Sequence, residues 1–308
     1  MNNSRRKFIT QTALTVAGLS LLKSNTFAST FASDHIVGLQ LYSVRDDMKT
    51  PQDALETLKK LSAMGYRYVE HANYHDRKFY GYSVTEFKKI LDDLNLKMRS
   101  GHTVMTITDW DDTKKDFTDK WKYTVEDAAT MGQKYVISPW LDEALRTDVD
   151  KLKMFMDLFN KCGELCQKSN MKFGYHNHDF EIVTKVNNEN LYDFIIKNTD
   201  PKLVAQQMDI GNWYGVGGRA MDYLKKYPGR FELMHVKDEI KAAKGEMGGE
   251  PFESTVIGSG VAGVKEVIDY AKKNGGTKDF IIEQESYQGK APIDCAKEDL
   301  EAMKKWGY

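Results

Sequence analysis

Residues 172–213, KFGYHNHDFEIVTKVNNENLYDFIIKNTDPKLVAQQMDIGNW, contain two short β-type runs, Lys172–His176 and Val204–Asp209, with a longer stretch between them. From Asp34 onward, short β-type runs alternate in this way with longer stretches of helical period. That alternation is typical of a parallel sheet whose strands are joined by crossover helices. We count eight such pairs in a chain of 308 residues, which predicts a single (β/α)8 TIM barrel of the α/β class over residues 34–308.

The predicted elements can be placed along the chain. The strands are Ile36–Tyr42, Tyr66–Glu70, Lys97–His102, Tyr135–Ser138, Lys172–His176, Val204–Asp209, Phe231–His235 and Phe280–Glu283. The amphipathic stretches between them include Gln52–Met64, Thr85–Leu94, Lys151–Lys168, Val261–Asn274 and Pro292–Trp306. One connection, Asp238–Gly260, is polar, contains Gly245, Gly248 and Gly249, and is too long for a routine turn. It predicts either a lid that contacts substrate or a disordered surface excursion.

Composition limits the partners that the chain can have. Its 44 basic and 45 acidic residues give a net charge of -1, and no basic run interleaved with aromatic residues follows the N-terminus. Because nucleic-acid binding depends on positive charge, we expect no nucleic-acid partner. We interpret Cys162, Cys166 and Cys295 as packing residues, since the spacing of the first two suits neither a disulfide nor a zinc knuckle.

The N-terminal segment resembles a twin-arginine export signal. Residues 4–10, SRRKFIT, precede an uncharged stretch of apolar and small residues, Gln11–Leu22, and small residues at 27–29 and 31–33 offer cleavage sites. We therefore expect an export signal over residues 1–28 and a periplasmic mature protein without a stable membrane anchor. The alternative is an anchor that is never cleaved, although the apolar stretch is short for a bilayer span.

Ionisable side chains recur at the C-terminal ends of the predicted strands, where a TIM barrel places its active site. They are Glu70, His102, His176, His178, Asp209, His235, Lys237 and Glu283. A single histidine at a strand end is more often a hydrogen-bonded packing residue than a ligand. A whole rim of such groups is costly to bury, on the order of several kcal/mol for each unneutralised charge. A metal or a polar substrate is therefore expected there.

Four consecutive strand ends contribute donors that suit a divalent metal. In the motif YHNHDFE at 175–181, His176 and His178 share one face of an extended strand, and either could be a ligand. The next three strands contribute Asp209, His235 and Glu283. Mixed nitrogen and oxygen donors of this kind fit manganese, cobalt, zinc or magnesium.

These motifs resemble the xylose-isomerase-like TIM barrels, a superfamily that includes sugar phosphate isomerases and epimerases, inosose dehydratases and family 2 apurinic endonucleases. The resemblance spans nearly the whole predicted mature chain. In the sugar epimerases of that family, Glu, Asp, His and Glu from strands five to eight hold the metal. The resemblance assigns these positions to His176, Asp209, His235 and Glu283. His176 replaces a glutamate that is both a ligand and one of two acid-base carboxylates, so the two-carboxylate mechanism does not transfer directly.

Expected roles follow from the strand-end positions and from the resemblance. We hypothesise that His102 or Glu283 abstracts a proton next to a carbonyl, while Lys237 stabilises the oxyanion charge. The residues expected to bind substrate are Glu70, His178, Glu181, Asn212 and Trp140. The aromatic residues that could stack on a pyranose, or simply pack, are Tyr42, Trp110, Trp140, Trp213 and Tyr214.

The expected activity is metal-dependent isomerisation or epimerisation of a non-phosphorylated sugar or keto-sugar, because the sequence has no glycine-rich phosphate loop with an adjacent lysine. The first alternative, which the resemblance also suggests, is a lyase or hydratase that acts on 3-keto-glycosides. A further alternative is a non-catalytic sugar-binding barrel. In each case the partner is a small-molecule sugar or glycoside, and the oligomeric state is left open.

Overall fold

Eight parallel strands form a closed barrel, and their order around the barrel follows their order in the chain. The computed structural model describes residues 36–243 and 251–308, and Ser33–Tyr308 form one compact unit. The strands are β1 (Ile36–Gln40), β2 (Tyr68–His71), β3 (Lys97–His102), β4 (Tyr135–Ser138), β5 (Lys172–His176), β6 (Val204–Asp209), β7 (Phe231–Val236) and β8 (Asp279–Ile282). Strand β1 pairs with β2 on one side and with β8 on the other. The predicted (β/α)8 barrel is confirmed.

Helices connect successive strands on the outside of the barrel. The principal helices are α1 (Pro51–Met64), α2 (Val84–Asp93), α3 (Asp119–Met131), α4 (Val149–Gln167), α5 (Leu191–Lys197), α6 (Ala220–Lys226), α7 (Val264–Tyr270) and α8 (Pro292–Lys305). Shorter helical turns are Leu41–Asp47, Ile107–Asp109, Glu143–Leu145, Phe180–Val183, Ile210–Tyr214 and Ala271–Gly275.

Helix α1 shows how local sequence fixes an element. Thr50 and Asp53 form a reciprocal capping box, in which each side chain accepts a hydrogen bond from the backbone N–H of the other. Pro51 occupies the first turn, where its missing N–H costs nothing. Gly65 ends the helix with a φ of 107°, a conformation that favours glycine. The helix therefore begins one residue before the predicted Gln52 and ends at the predicted Met64.

Strand β1 is shorter than predicted because the chain turns at Gln40. The Gln40 side chain accepts a hydrogen bond from the backbone N–H of Tyr42 at 3.1 Å and caps the helical turn Leu41–Asp47. At the other side of the closure, β8 ends at Ile282, so Glu283 is the first residue beyond the strand. Both ends place polar side chains at the same rim of the barrel.

A small apolar layer fills the barrel interior below that rim. Ile137, Ala205, Leu233 and Ile281 form this cluster, and each is at most 4% exposed. Because strand side chains alternate between faces, Leu233 and Ile281 share the inward face with His235 and Glu283, two residues further on. Gly174 leaves room for this layer, since a Cβ at that position would lie 2.4 Å from Ile137 Cδ1. The layer is the floor of the polar site above it.

The long connection after β7 has regular structure in its described part. Asp238–Lys241 and Phe252–Thr255 form an antiparallel ribbon. The Asp238 carboxylate accepts hydrogen bonds from the backbone N–H groups of Gly258, Gly260 and Ala262 at 2.9–3.1 Å. The interpretation as a disordered excursion is therefore wrong for this part, and none of it lines the main cavity described below. Residues 244–250, with Gly245, Gly248 and Gly249, lie outside the described residues.

Three other sequence expectations can be placed against the structure. The predicted export signal, residues 1–28, lies outside the described residues. Within the described ranges, no helix is both long and apolar enough to cross a membrane. Cys162, Cys166 and Cys295 are free and buried, and Trp121 donates its indole N–H to Cys162 Sγ at 3.1 Å. The prediction that the cysteines are packing residues is confirmed.

Candidate active site and metal centre

The four residues assigned as metal ligands meet at the C-terminal rim of the barrel. One donor atom from each of His176, Asp209, His235 and Glu283 lies within 4.8 Å of the other three, and all four side chains are buried. We call these residues the donor group. His178, the other candidate in its motif, does not belong to it. Parallel strands present their carboxyl ends at one rim, which is why residues more than 100 positions apart converge.

Two atoms of the donor group lack hydrogen-bond partners. Asp209 caps the turn Ile210–Tyr214 by accepting the backbone N–H of Asn212 on Oδ1 at 2.8 Å. Its other oxygen, Oδ2, is buried without a partner, and so is Nδ1 of His176. Buried polar atoms without partners are costly and rare in native proteins. A cation would satisfy both, so the residues present fit a divalent metal.

His235 is held between carboxylates on both of its ring nitrogens. Nε2 lies 2.6 Å from Glu70 Oε1, and Nδ1 lies 3.0 Å from Glu283 Oε2 and 3.7 Å from Asp209 Oδ2. A histidine ligand whose second nitrogen donates to a carboxylate is a recurring arrangement in metal centres. Nδ1 is therefore the nitrogen that faces the donor group.

Glu70, which holds the His235 ring, is itself fixed by two glutamine side chains. Gln40 and Gln207 donate amide hydrogen bonds to its two carboxylate oxygens, each at 2.8 Å. Glu70 is only 1% exposed and does not line the cavity. Glu70 contacts His235 on the side away from the donor group, and its expected role in binding substrate stays a prediction.

The same network fixes the tautomer of a neutral His102 ring. Glu70, as a carboxylate, only accepts, so the amide nitrogen of Gln207 faces it and the amide oxygen of Gln207 faces His102. His102 Nε2 lies 2.7 Å from that oxygen and must donate to it. The neutral ring then carries its lone pair on Nδ1. His102 also forms, with His176 and His235, a second group that could hold a metal ion.

Lys237 is buried among acidic side chains. Its Nζ donates to Asn212 Oδ1 at 3.0 Å and to Glu285, and it lies 3.5 Å from Glu283 Oε2. Gly211 leaves room for it, since a Cβ there would lie 2.7 Å from Lys237 Cγ. Lys237 does not line the cavity. The ammonium is paired with the carboxylates of the rim, and its expected contact with a substrate oxyanion stays a prediction.

Glu181 is likewise turned away from the cavity. Its carboxylate is fully buried and accepts hydrogen bonds from the Tyr175 hydroxyl and from the backbone N–H of His178. It fixes the turn that follows β5, and its expected contact with substrate stays a prediction. His178 lines the cavity, and its ring packs edge-on against Trp140 with 5.3 Å between centroids.

A cavity of about 780 Å³ adjoins the donor group. The predicted site residues that line it are His102, His176, His178, Asn212, Glu283 and Trp140. Of the other candidate stacking residues, Tyr42 lines the cavity, whereas Trp110 and Tyr214 do not. Trp213 is fully buried and packs against Tyr192 and Tyr223, so it belongs to the core. The substrate-binding roles of His178, Asn212 and Trp140 stay predictions.

Some residues of the site were missed at the sequence level. Gln207 and Glu285 are two of them. Gln207 shares the inward face of β6 with Asp209, so the alternation of strand side chains could have indicated it, whereas Glu285 lies beyond the end of β8, where that alternation does not apply. Tyr123 also lines the cavity, from helix α3. Nothing in its polar surroundings distinguishes it in the sequence.

Charge and burial set the protonation of the metal-free site. Burial would lower the pKa of His235, but Glu283 and Glu70 raise it to about 10. Burial raises the pKa of Asp209 to about 7, against the opposing effect of Lys237. Burial lowers the pKa of His178 to about 3 and that of His176 well below its usual range. His176 and His178 are therefore neutral at pH 7, whereas His235 holds a proton that a cation would displace.

Comparison of the chain with known proteins identifies its family and several relatives. A family model described as the xylose isomerase-like TIM barrel matches residues 58–306. Among curated proteins, the chain is similar to an inosose dehydratase of Clostridium beijerinckii, with 24% identity over 198 residues, which is 59% of this chain and 62% of that protein. An inosose dehydratase of Bacillus licheniformis is 30% identical over 150 residues, 45% of this chain and 48% of that protein. The chain thus matches less than two thirds of the length of these relatives.

Solved structures agree in fold. A sugar phosphate isomerase/epimerase from Parabacteroides distasonis superposes with a TM-score of 0.72 at 21% identity, covering 90% of this chain and 96% of that one. The IOLI protein with a bound zinc atom gives 0.68 at 13% identity, covering 88% and 97%. The probable 3-DHS dehydratase AsbF from Bacillus anthracis gives 0.66 at 14% identity, covering 87% and 98%. At these identities the likeness establishes the fold alone.

Proposed function

Because the chain belongs to the xylose isomerase-like TIM barrel family, we propose that it is a divalent-metal-dependent carbon–oxygen lyase. Its proposed substrate is a non-phosphorylated keto-sugar or 3-keto-glycoside, from which it eliminates water or an alcohol. This reverses the order expected from the sequence, which put isomerisation or epimerisation first. The relatives named inosose dehydratase and the neighbour named a probable dehydratase favour the elimination.

The observation that carries the proposal is the donor group itself. His176, Asp209, His235 and Glu283 converge within 4.8 Å beside a cavity large enough for a sugar, and two of their buried atoms lack partners. Two imidazoles and two carboxylates suit manganese, cobalt, zinc or magnesium. The IOLI neighbour that binds zinc supports the same class of ion.

A bound divalent ion would supply Lewis acidity to a carbonyl and its neighbouring hydroxyl, which acidifies the adjacent C–H. His102 is the proposed base, because it lines the cavity and its Nε2 is fixed as a donor, which leaves Nδ1 to accept a proton. In the elimination, that C–H bond and the C–O bond to the leaving group break, and a carbon–carbon double bond forms. The leaving oxygen takes the proton back from the same histidine.

The residue at the first ligand position favours elimination over epimerisation. An epimerase removes a proton on one face of the carbon and returns one on the other, which needs two acid-base groups. In this chain His176 stands where the family's epimerases have a carboxylate. An elimination needs one group only, because His102 can return the proton to the leaving oxygen.

The proposal is tested by incubating metal-loaded protein in deuterated water with methyl 3-keto-glucoside and, separately, with free ketoses. Release of methanol supports the lyase. Deuterium incorporation into unfragmented sugar would select isomerisation or epimerisation instead. If neither reaction occurs and added manganese or cobalt does not stabilise the fold, the non-catalytic sugar-binding barrel is favoured.

We also propose that the protein acts in the periplasm. Support comes from the arginine pair and apolar stretch within residues 1–28. A non-phosphorylated substrate fits that location, since phosphorylated sugars belong to the cytoplasm. A fusion of residues 1–33 to a reporter should be exported, and replacement of Arg5 and Arg6 by lysine should block that export.

A further inference from the structure

After β2, Tyr74–His75 and Lys78–Phe79 form a short antiparallel hairpin. We propose that the cavity contains a second subsite, built by Tyr123 and the hairpin residues Tyr74–Arg77, that binds a ring-bearing leaving group of the substrate. The proposal rests on the lyase function above and specifies its substrate. The leaving group is then the second sugar of a disaccharide or an aryl alcohol, and not water or a small alcohol.

The exposed aromatic side chains of the described residues are concentrated in this cavity. Tyr42, Tyr123 and Trp140 are the large aromatic residues most exposed to solvent, at 42–43%, and all three line the cavity. Exposed apolar surface collected in a concave site marks ligand binding more often than chance packing. Aromatic rings present flat apolar faces that match the C–H face of a pyranose or the face of an aryl ring.

Each of these rings is backed by an arginine. The guanidinium carbon lies 4.3 Å from the ring centroid of Tyr42 for Arg45, 4.4 Å from that of Tyr123 for Arg77, and 4.7 Å from that of Trp140 for Arg146. Such cation–π contacts hold the ring in one orientation. A ring fixed before binding loses less conformational entropy when a ligand stacks on it.

The arginines of the first and third pairs lie behind their rings. Arg45 and Arg146 do not line the cavity, whereas Tyr42 and Trp140 do. Arg45 is fixed by hydrogen bonds of 2.9–3.0 Å to the Tyr42 carbonyl, the Tyr287 hydroxyl and the Glu285 carbonyl. In these two pairs, therefore, the ring lines the cavity and the arginine does not.

The cavity wall around Tyr123 is also held in place by contacts within the protein, before any ligand binds. Arg77 donates to both carboxylate oxygens of Asp127 on helix α3, at 2.6 and 3.1 Å, and the Tyr74 hydroxyl donates to the same carboxylate at 2.7 Å. Asp127 is 2% exposed, so its charge depends on these partners. Asp76 and Arg77 have φ values of 48° and 60°, which non-glycine residues rarely adopt. The ion pair to α3 holds this turn against the cavity.

The cavity is large enough to hold more than one sugar-sized ring. A single pyranose fills on the order of 200 Å³, as six or seven waters do at about 30 Å³ each. The cavity of about 780 Å³ therefore leaves space for a second ring. Trp140 packs against His178, next to the donor group, so we place the reacting sugar against Trp140. Tyr123 is on α3, beside the hairpin, so we place the leaving group against Tyr123.

The test compares 3-keto-glucosides with methyl, glucosyl and phenyl leaving groups. For each enzyme, kcat/KM for the glucosyl and phenyl substrates is divided by kcat/KM for the methyl substrate. This ratio is compared between variants, which cancels the intrinsic reactivity of each leaving group. Tyr123→Ala should lower the ratio about 5- to 10-fold, the effect of one lost ring contact. Tyr123→Phe, which keeps the ring, should retain it.

Tyr214→Ala is the matched control. Tyr214 also lies under an arginine, Arg219, at 4.2 Å, but it lines a different, smaller cavity. Its loss should leave the ratio unchanged. A fall for the glucosyl substrate alone identifies a sugar subsite, and a fall for the phenyl substrate alone identifies an aryl subsite. An unchanged ratio in Tyr123→Ala overturns the proposal.

A binding measurement separates this proposal from the lyase function. If the wild-type enzyme cleaves none of the three substrates, the lyase function fails, and the subsite is judged by calorimetry with unoxidised glucosyl-glucose and methyl glucoside. Tighter binding of the disaccharide that disappears in Tyr123→Ala supports the subsite. Equal affinity for both sugars in the wild-type protein overturns it.

Discussion

The Nε2 atom of His235 lies 2.6 Å from the Oε1 atom of Glu70. His235 is on β7 and Glu70 is on β2, so this contact crosses the barrel interior. Because Nε2 is engaged by Glu70, only Nδ1 can face the cation that the donor group would hold. Glu70 would thus position His235 as a ligand without contacting the cation itself.

Replacing Glu70 by glutamine should weaken metal binding about 10- to 100-fold, the usual effect of losing a carboxylate partner of a ligating histidine. The affinity can be measured by calorimetry with Mn²⁺, and the absorption spectrum of the Co²⁺ form should shift. Glu232→Gln is the control, since Glu232 is paired with Lys172 at 2.6 Å away from the donor group. Equal Mn²⁺ affinity in Glu70→Gln and wild type would contradict the positioning role.

Two neighbouring histidines should differ in their effect on metal content. His176→Ala should lower Mn²⁺ affinity by about 100-fold or more, because it removes one donor of the group. His178→Ala should leave the affinity within about threefold, because His178 lies outside the group. Elemental analysis of the purified variants measures the difference. Loss of metal from His178→Ala, with retention in His176→Ala, would exchange their roles.

His102 should matter for turnover more than for metal binding. His102→Ala should lower kcat on a 3-keto-glucoside by about 10²- to 10⁴-fold, the usual range for a general base. Thr103→Ala, a cavity-lining neighbour, is the control. If His102→Ala instead loses Mn²⁺ in parallel with activity, the ion uses the three-histidine group of His102, His176 and His235, and the assignment of His102 as base is wrong.

Asp299 predicts how stability depends on pH. Burial raises its pKa to about 8, from an ordinary 3.8. Between these values the folded state keeps a proton that the unfolded state has lost. The free energy of unfolding therefore falls as pH rises through this window, and the favourable contribution is complete only below the lower value. Asp299→Asn should remove this fall and stabilise the fold at pH 8 by on the order of 1–3 kcal/mol.

Urea unfolding at pH 5 and pH 8 measures the effect. Glu301→Gln, an exposed change on the same helix, is the control and should not alter the pH dependence. In the wild type, Asp299 Oδ1 accepts the Ile257 backbone N–H at 2.8 Å, and the amide oxygen introduced by Asp299→Asn can accept the same bond. A wild-type protein that is equally stable at both pH values would contradict the prediction.

The barrel was predictable because each strand and helix can be recognised from the pattern of apolar residues within its own short segment of sequence. Short apolar runs such as Val204–Asp209 are separated by amphipathic helices, and eight such pairs in one chain are typical of a closed parallel barrel. The strand ends were less predictable. Gln40 ends β1 through a side-chain hydrogen bond to Tyr42, which the residue types alone do not reveal.

The donor group was predictable, but the surrounding roles were not. His176, Asp209, His235 and Glu283 end consecutive strands, so the fold alone brings them together. Whether a polar side chain beside them faces the cavity depends on contacts between distant strands. Glu70 and Lys237 are both buried and engaged by partners from other strands or loops, and neither lines the cavity. Sequence spacing contains no information about those partners.

The pairing of Leu39 with Ile282 joins the first strand to the last. Glu283 is the next residue after Ile282. The last carboxylate of the donor group therefore reaches its position only when β8 has paired with β1 and the barrel is closed. A chain that stops before β8 can present His176, Asp209 and His235 but cannot complete the set. A cation that uses all four donors would therefore bind the closed barrel alone and add its binding energy to that state.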